Sequence, residues 1–197
     1  MTMEETKGAR PNDKRARVLT ATKKLIVRHG LEFPVSRIAR ESGVAVGSIY
    51  NYFPSKTELV FGVYQELASQ IMAALVTDVD EQPDDPRTSI MAYIHSYIEF
   101  FWADADRAVL FEYLTNLPVI ETPEIAEVFE PLRDYNCAIF TKAQEQGVLK
   151  PMAPRSMAGF VSGGIRNALK WHRITQNHLS DAQKDNIAQM SWAAIAA

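Results

Sequence analysis

Cysteine is almost missing from this chain: Cys137 is the only one in 197 residues. No internal disulfide can form, which suits a reducing compartment and excludes the small stapled secreted folds. Long apolar runs are missing too. No stretch approaches the roughly 18 apolar residues that a membrane-crossing helix needs. Residues 1–12 are polar and charged, without the apolar segment of a signal peptide. A soluble, cytoplasmic protein with no membrane partner is expected. The four histidines are scattered and, with one cysteine, give no metal-ligand spacing. There is no Ser/His/Asp spacing, no glycine-rich phosphate loop and no paired-carboxylate site. The sequence therefore predicts no catalytic residue, no metal, no cofactor and no enzyme. Strict alternation of apolar and polar residues, the mark of strands, is absent as well.

What remains is helical periodicity on an ordinary globular composition, 47% hydrophobic and 23% charged. Charge is unevenly spread. Residues 1–60 hold 11 basic and 6 acidic residues, and residues 61–197 hold 10 and 18. A basic front on an acidic body fits a local phosphate-binding surface on a protein that DNA otherwise repels.

The periodicity predicts an all-α fold of nine helices, three small and basic and six larger and apolar. Residues 1–11 read as a disordered arm. Ala16, Leu19, Ala21, Leu25 and Ile26 recur at helical spacing until Gly30 stops the helix. A second helix holds Val35, Ile38 and Ala39 and ends near Ser42, with Gly43 as the turn. A third runs from about Val46 to Phe53, stopped by Pro54. These form a first domain, residues 1–54. The second, 55–197, opens at Ser55, with Glu58 three residues on as a capping box. Its first helix carries the stripe Leu59, Val60, Val63, Tyr64, Leu67, Ile71 and Leu75. An acidic, proline-bearing stretch from Asp78 follows. Asp85-Pro86 then caps a helix to about Ala103, with Ile90, Ile94, Tyr97, Ile98 and Phe101 inward. A shorter helix covers about 105–117. Thr122-Pro123 opens the next, with Pro131 expected to kink it and Gly147 to end it. Helices from Pro154 to about Arg173, and from Ser180 onward with Gln183 in capping-box position, complete the chain.

Residues 36–56 carry the chemistry. Two short helices joined at a glycine turn form a helix-turn-helix, which sets its second helix in a major groove. Short residues at that helix's start, Ala45, Val46, Gly47 and Ser48, let the backbone lie close to base edges. Ala45 or Val46 suits a thymine methyl and Asn51 an adenine. Ser48, Tyr50 and Tyr52 suit phosphate oxygens. Lys56 begins a helix, where a cation alone is unfavourable and a phosphate would resolve the conflict. Ser36 and Arg37 join this set, and Arg10, Lys14, Arg15 and Arg17 are further candidates for phosphate contact. Ile38, Ala39, Val44, Ile49 and Phe53 face inward. The plainer alternatives are that the two tyrosines pack in a three-helix core and that Lys56 is simply solvated.

Ile38-Ala39, Gly43-Val44, Gly47-Ser48-Ile49-Tyr50, Tyr52-Phe53, Ser55-Lys56 and Glu58-Leu59 resemble, at unbroken spacing, the DNA-binding domain of the TetR family of bacterial transcriptional regulators. The resemblance covers about a third of the chain. It departs from the family at Phe33-Pro34, at Ala45, where a capping Ser or Thr is usual, and at Val46, where a Lys or Arg is frequent. More methyl contact and less guanine readout follow from those differences. The resemblance implies a homodimer on a double-stranded, palindromic operator, probed by a ligand-binding body whose last two helices dimerise. Paired glycines inside a helix are costly, and close helix–helix approach at Phe160, Gly163, Gly164, Ile165 and Leu169 would offset them. Ile187, Met190 and Trp192 complete the candidate interface. Of 19 aromatic residues 13 lie beyond Tyr64, which suits a small apolar or aromatic effector. Tyr97, Phe101, Phe111, Tyr113, Asn136, Phe140, Asn167 and Trp171 are the candidate pocket; a filled core is the alternative for each. The expected function is a ligand-responsive regulator, in the repressor sense. The alternative is a small-molecule-binding helical protein or enzyme without DNA-binding activity.

Overall fold

The computed structural model describes residues 11–76, 84–116, 124 and 127–197. Nine helices are present among them: α1 Pro11–His29, α2 Val35–Ser42, α3 Val46–Tyr50, α4 Lys56–Leu75, α5 Pro86–Ala103, α6 Ala105–Asn116, α7 Glu130–Glu145, α8 Pro154–Thr175 and α9 Asp181–Ile195. An isolated bridge between Leu149 and Ala196 is the one β-type pairing among the described residues. The arm before Pro11, the acidic stretch from Asp78 to Pro83 and the Thr122-Pro123 start lie outside the described residues.

Local chemistry explains most helix ends. The α4 stripe predicted from spacing is buried throughout, from Leu59 to Leu75. Ser55 Oγ accepts from the Glu58 amide at 3.0 Å before α4. Asp85 caps α5 through the Thr88 amide, with Pro86 in the first turn. Ser180 and Gln183 form a reciprocal capping box at the start of α9. Two expectations change. Residues 124, 127 and 128 are helical, Phe129 is a turn, and Pro131 sits in the first turn of α7, so the helical path is broken just before the proline rather than bent at it; its missing N–H is harmless there. α3 ends at Tyr50, and Asn51 and Tyr52 form a turn in which the Tyr52 and Phe53 amides both donate to the Ile49 carbonyl.

Two compact units are present. One lies within Met1–Leu67 and Val109–Glu121, the other within Ala68–Ala108 and Thr122–Ala197. The first therefore runs past Ser55 into α4 and takes in most of α6. Its core is Val18, Leu25, Ile26, Phe33, Ile38, Ile49, Phe53, Val63 and Tyr64, with α1 packed on α2 and α2 on α3. In the second unit α5, α7, α8 and α9 pack together around Ile90, Ile94, Phe101, Phe140, Val161, Ile165 and Leu169. Lys184 ties α9 to Glu99 of α5 at 2.6 Å. That partner, by hydrogen bonding, raises the pKa of the ammonium group.

Candidate nucleic-acid interface

The helix-turn-helix is fixed by backbone anchors. Gly43 turns the chain at φ +63°, a left-handed conformation that costs glycine least. From α1, the Arg17 guanidinium donates to the Ser42 carbonyl at 2.5 and 3.0 Å and to the Gly43 carbonyl at 3.2 Å. Ile49, 1% exposed, is the apolar anchor of α3. Arg15 lies over the Phe53 ring at 5.2 Å.

Opposite Ile49, α3 shows its other face to solvent. Val46 is 38% exposed and Tyr50 46%, and Ala45, Gly47 and Asn51 are exposed beside them. Ser48 and Tyr52 are half-buried. A Cβ added at Gly47 would meet nothing within 4 Å. Ala45 stands at the N-cap without a side-chain cap. On α2, Ser36 is exposed, and the Arg37 guanidinium contacts His29 Nε2 at 2.8 Å.

Lys56 is placed differently from a free helix-start cation. Its ammonium group donates to the Leu31 carbonyl at 2.5 Å and the Phe33 carbonyl at 2.6 Å. It also lies 4.6 Å from the Phe33 ring centroid. Two of its three protons are therefore committed to the α1–α2 turn. That turn has a second clamp: the Leu31 amide donates to the Tyr113 hydroxyl at 3.0 Å. Gly30, at φ +62°, has no room for a Cβ against the same hydroxyl. Sequence reasoning missed this pair, because nothing local connects Tyr113 to a turn 82 residues away.

The eight candidate ligand residues do not gather at one point. Tyr97, Phe101 and Phe140 are buried. Tyr97 belongs to a ring series, 6.1 Å from Tyr93 and 4.7 Å from Phe101, and its hydroxyl accepts from Arg166 at 2.5 Å. Burial, helped by Tyr97, pushes the Tyr93 hydroxyl well above its ordinary pKa, so it stays neutral. Phe111 is half-buried, and Tyr113 serves the turn. Asn167 and Trp171 are exposed on α8. Asn136 instead lines a cleft of about 220 Å³ with Arg133, Cys137, Arg155, Ala158, Gly159 and Ser162. Neither arginine was singled out from sequence. A readable signal existed for Arg155: a cation in the first turn of a helix, with no acid there.

The candidate dimer residues divide in two. Ile165, Leu169 and Ile187 are buried within their own unit. Phe160 at 68% and Met190 at 63% are exposed, and so is Gly164, while Gly163 and Trp192 are half-buried. Trp171, 55% exposed, and Ile174, 62% exposed, continue the Phe160 side of α8 at helical spacing.

Residues 18–63, covering α1 through the start of α4, match the family model described as bacterial regulatory proteins, tetR family. A curated relative, an uncharacterized HTH-type transcriptional regulator of Haemophilus influenzae, is 38% identical over 65 residues. That match covers 32% of this chain and 35% of the relative, about a third of its length. Solved structures extend the likeness of fold to nearly the whole chain. A TetR family transcription regulator from Marinobacter aquaeolei superimposes with TM-score 0.83 at 18% identity, over 94% of this chain and 96% of that one. The transcriptional regulator FadR from Bacillus subtilis, solved in complex with stearoyl-CoA, gives TM-score 0.77 at 18% identity, over 91% and 98%. With the helix-turn-helix anchored as described, residues 18–63 match the model of the tetR family of bacterial regulatory proteins, and the fold of nearly the whole chain is similar to that of solved TetR family regulators.

Proposed function

We infer that the chain works as a cytoplasmic homodimer that binds a palindromic operator and represses until a small effector releases it. One observation carries the DNA-binding part. α3 is pinned by Ile49 yet leaves Ala45, Val46, Gly47, Tyr50 and Asn51 open to solvent, and nothing in the chain itself requires Gly47 to be small. A groove does, because close backbone approach to base edges needs the missing Cβ. Val46 and Ala45 then meet thymine methyls and Asn51 reads adenine, while Ser36, Arg37, Ser48, Tyr50 and Tyr52 reach phosphates. The third proton of Lys56 remains for a phosphate.

Homodimerisation is supported by the exposed apolar side of α8, Phe160, Trp171 and Ile174, with Met190 on α9. A two-fold pair doubles the few contacts of one helix-turn-helix. The effector's differential affinity for the two DNA-binding states would shift the spacing of the paired recognition helices. An apolar or aromatic effector fits the aromatic content of the second unit, and the stearoyl-CoA held by the Bacillus subtilis neighbour makes fatty acyl compounds a natural first trial.

The test is fluorescence anisotropy with duplexes tiling the DNA upstream of the chain's own gene, paired with sedimentation equilibrium. Nanomolar, salt-sensitive binding to one palindrome by a dimer is expected. Equal, weak affinity for all duplexes removes the operator reading, and a monomer at micromolar concentration removes the dimer.

A further inference from the structure

The cleft between α7 and α8 has a chemistry that an apolar effector does not explain. Arg133 and Arg155 both line it, with Asn136, Cys137 and Ser162. Neither guanidinium has an ion pair or side-chain hydrogen bond to another described residue. Two guanidinium-bearing residues thus line one concavity, and no acidic residue lines it with them. The α8 helix adds to the positive field. Its N-cap is Ala153, with no side-chain cap, its first turn holds no acid, and Arg155 sits there instead. The side-chain oxygen of Asn136 is sealed from solvent behind this lining, and its side chain hydrogen-bonds with the buried Tyr93 hydroxyl. The second-unit face of α8 is buried at Met157, Ala158, Val161 and Ile165, and its apolar exposed side runs through Phe160 and Trp171. Arg155, Gly159 and Ser162 form a third side, separate from both at helical spacing.

We propose that this cleft is a binding site for a small organic anion, a carboxylate or a phosphate monoester. The guanidiniums take the anion, in the forked geometry that suits both head groups. The Ser162 hydroxyl, which already donates to the Gly159 carbonyl at 3.2 Å, lines the cleft beside them. At about 220 Å³ the cleft is smaller than the roughly 300–1,000 Å³ of drug-sized pockets, so it takes a head group or a compact acid. As an effector site it rests on the regulator reading; as an anion site it does not.

Calorimetric titration of the full chain at low ionic strength separates these ideas, using glycerate, glycerol 3-phosphate, acetate and inorganic phosphate as probes. Saturable one-to-one heat is expected from glycerate or glycerol 3-phosphate, and whichever is tighter names the head group. Arg133→Gln and Arg155→Gln should each weaken binding at least tenfold without moving the melting midpoint, since Arg155 is exposed and Arg133 half-buried. Saturating anion should slow alkylation of Cys137 by iodoacetamide several-fold, because the thiol lines the same cleft. No saturable heat from any of the four overturns the proposal, as does heat that survives both arginine substitutions together. Operator binding that ignores a saturating, calorimetrically bound anion removes the effector role and leaves the site standing.

Discussion

Lys56 and Tyr50 make a useful contrast at the scale of single residues. Lys56 donates to two carbonyls of the α1–α2 turn, so Lys56→Met should destabilise the fold by about 1.5–3 kcal/mol, the range for hydrogen bonds from a charged group. Thermal unfolding measures that. If the third proton also meets a phosphate, the salt slope of operator binding falls by about one per protomer. A lowered midpoint with an unchanged slope makes Lys56 a turn clamp alone. Tyr50 is 46% exposed, so Tyr50→Phe should leave stability within about 0.5 kcal/mol. It should weaken binding to all duplexes by roughly 2- to 12-fold, the effect of one lost hydrogen bond. Sequence selectivity should not change, because phosphate contacts carry no sequence information. A change of selectivity with Tyr50→Phe would move its hydroxyl from phosphate to base.

Helices were legible to the extent that their ends depend on neighbours in sequence. Ser55, Asp85-Pro86 and Ser180 with Gln183 each act within three residues, and each starts a helix where spacing put it. At Pro131 the interruption was legible, with helical residues on both sides of a turn at Phe129, but spacing alone does not say whether a proline bends one helix or opens the next. The Tyr113 clamp on Leu31 and the pairing of Arg133 with Arg155 across a cleft are products of tertiary packing and leave no local period. The same locality lets caps be tested one at a time. Ala45 stands at the α3 N-cap with extended backbone, φ −59° and ψ 143°, and no side-chain acceptor. Ala45→Ser should therefore stabilise the chain by about 1 kcal/mol, seen as a higher melting midpoint; an unmoved midpoint means the hydroxyl finds no amide. At α5 the cap is ionisable. The Thr88 hydroxyl, and then its amide, hold the Asp85 carboxyl below its usual pKa of 3.8. A carboxyl depressed on folding stabilises the fold fully above that usual value, and the contribution is lost as pH falls through the lower folded pKa. Replacing Thr88 with Val should raise the Asp85 pKa, followed by NMR titration of the carboxyl carbon. A pKa indifferent to Thr88 would assign the depression to another donor.

On the proposed reading, function at the scale of the whole molecule depends on a second copy, because one α3 would read only half of a palindrome. The exposed side of α8 is where that dependence can be cut without disturbing a core. Phe160 and Trp171 are 68% and 55% exposed, so Phe160→Glu with Trp171→Glu leaves the buried core of the protomer untouched. Sedimentation should show a folded monomer with an unchanged helical circular dichroism spectrum, since four buried carboxylates across a two-fold axis repel one another and lose water. The monomer keeps one recognition helix. Its affinity for the full palindrome should fall to that for a half-site, and its salt slope should drop by about half with the number of phosphates neutralised. A variant that stays dimeric puts the contact elsewhere on the surface. A variant that becomes monomeric yet binds the palindrome with full affinity and slope would sever DNA recognition from dimerisation, and with it the route by which an effector in the second unit could act on the operator.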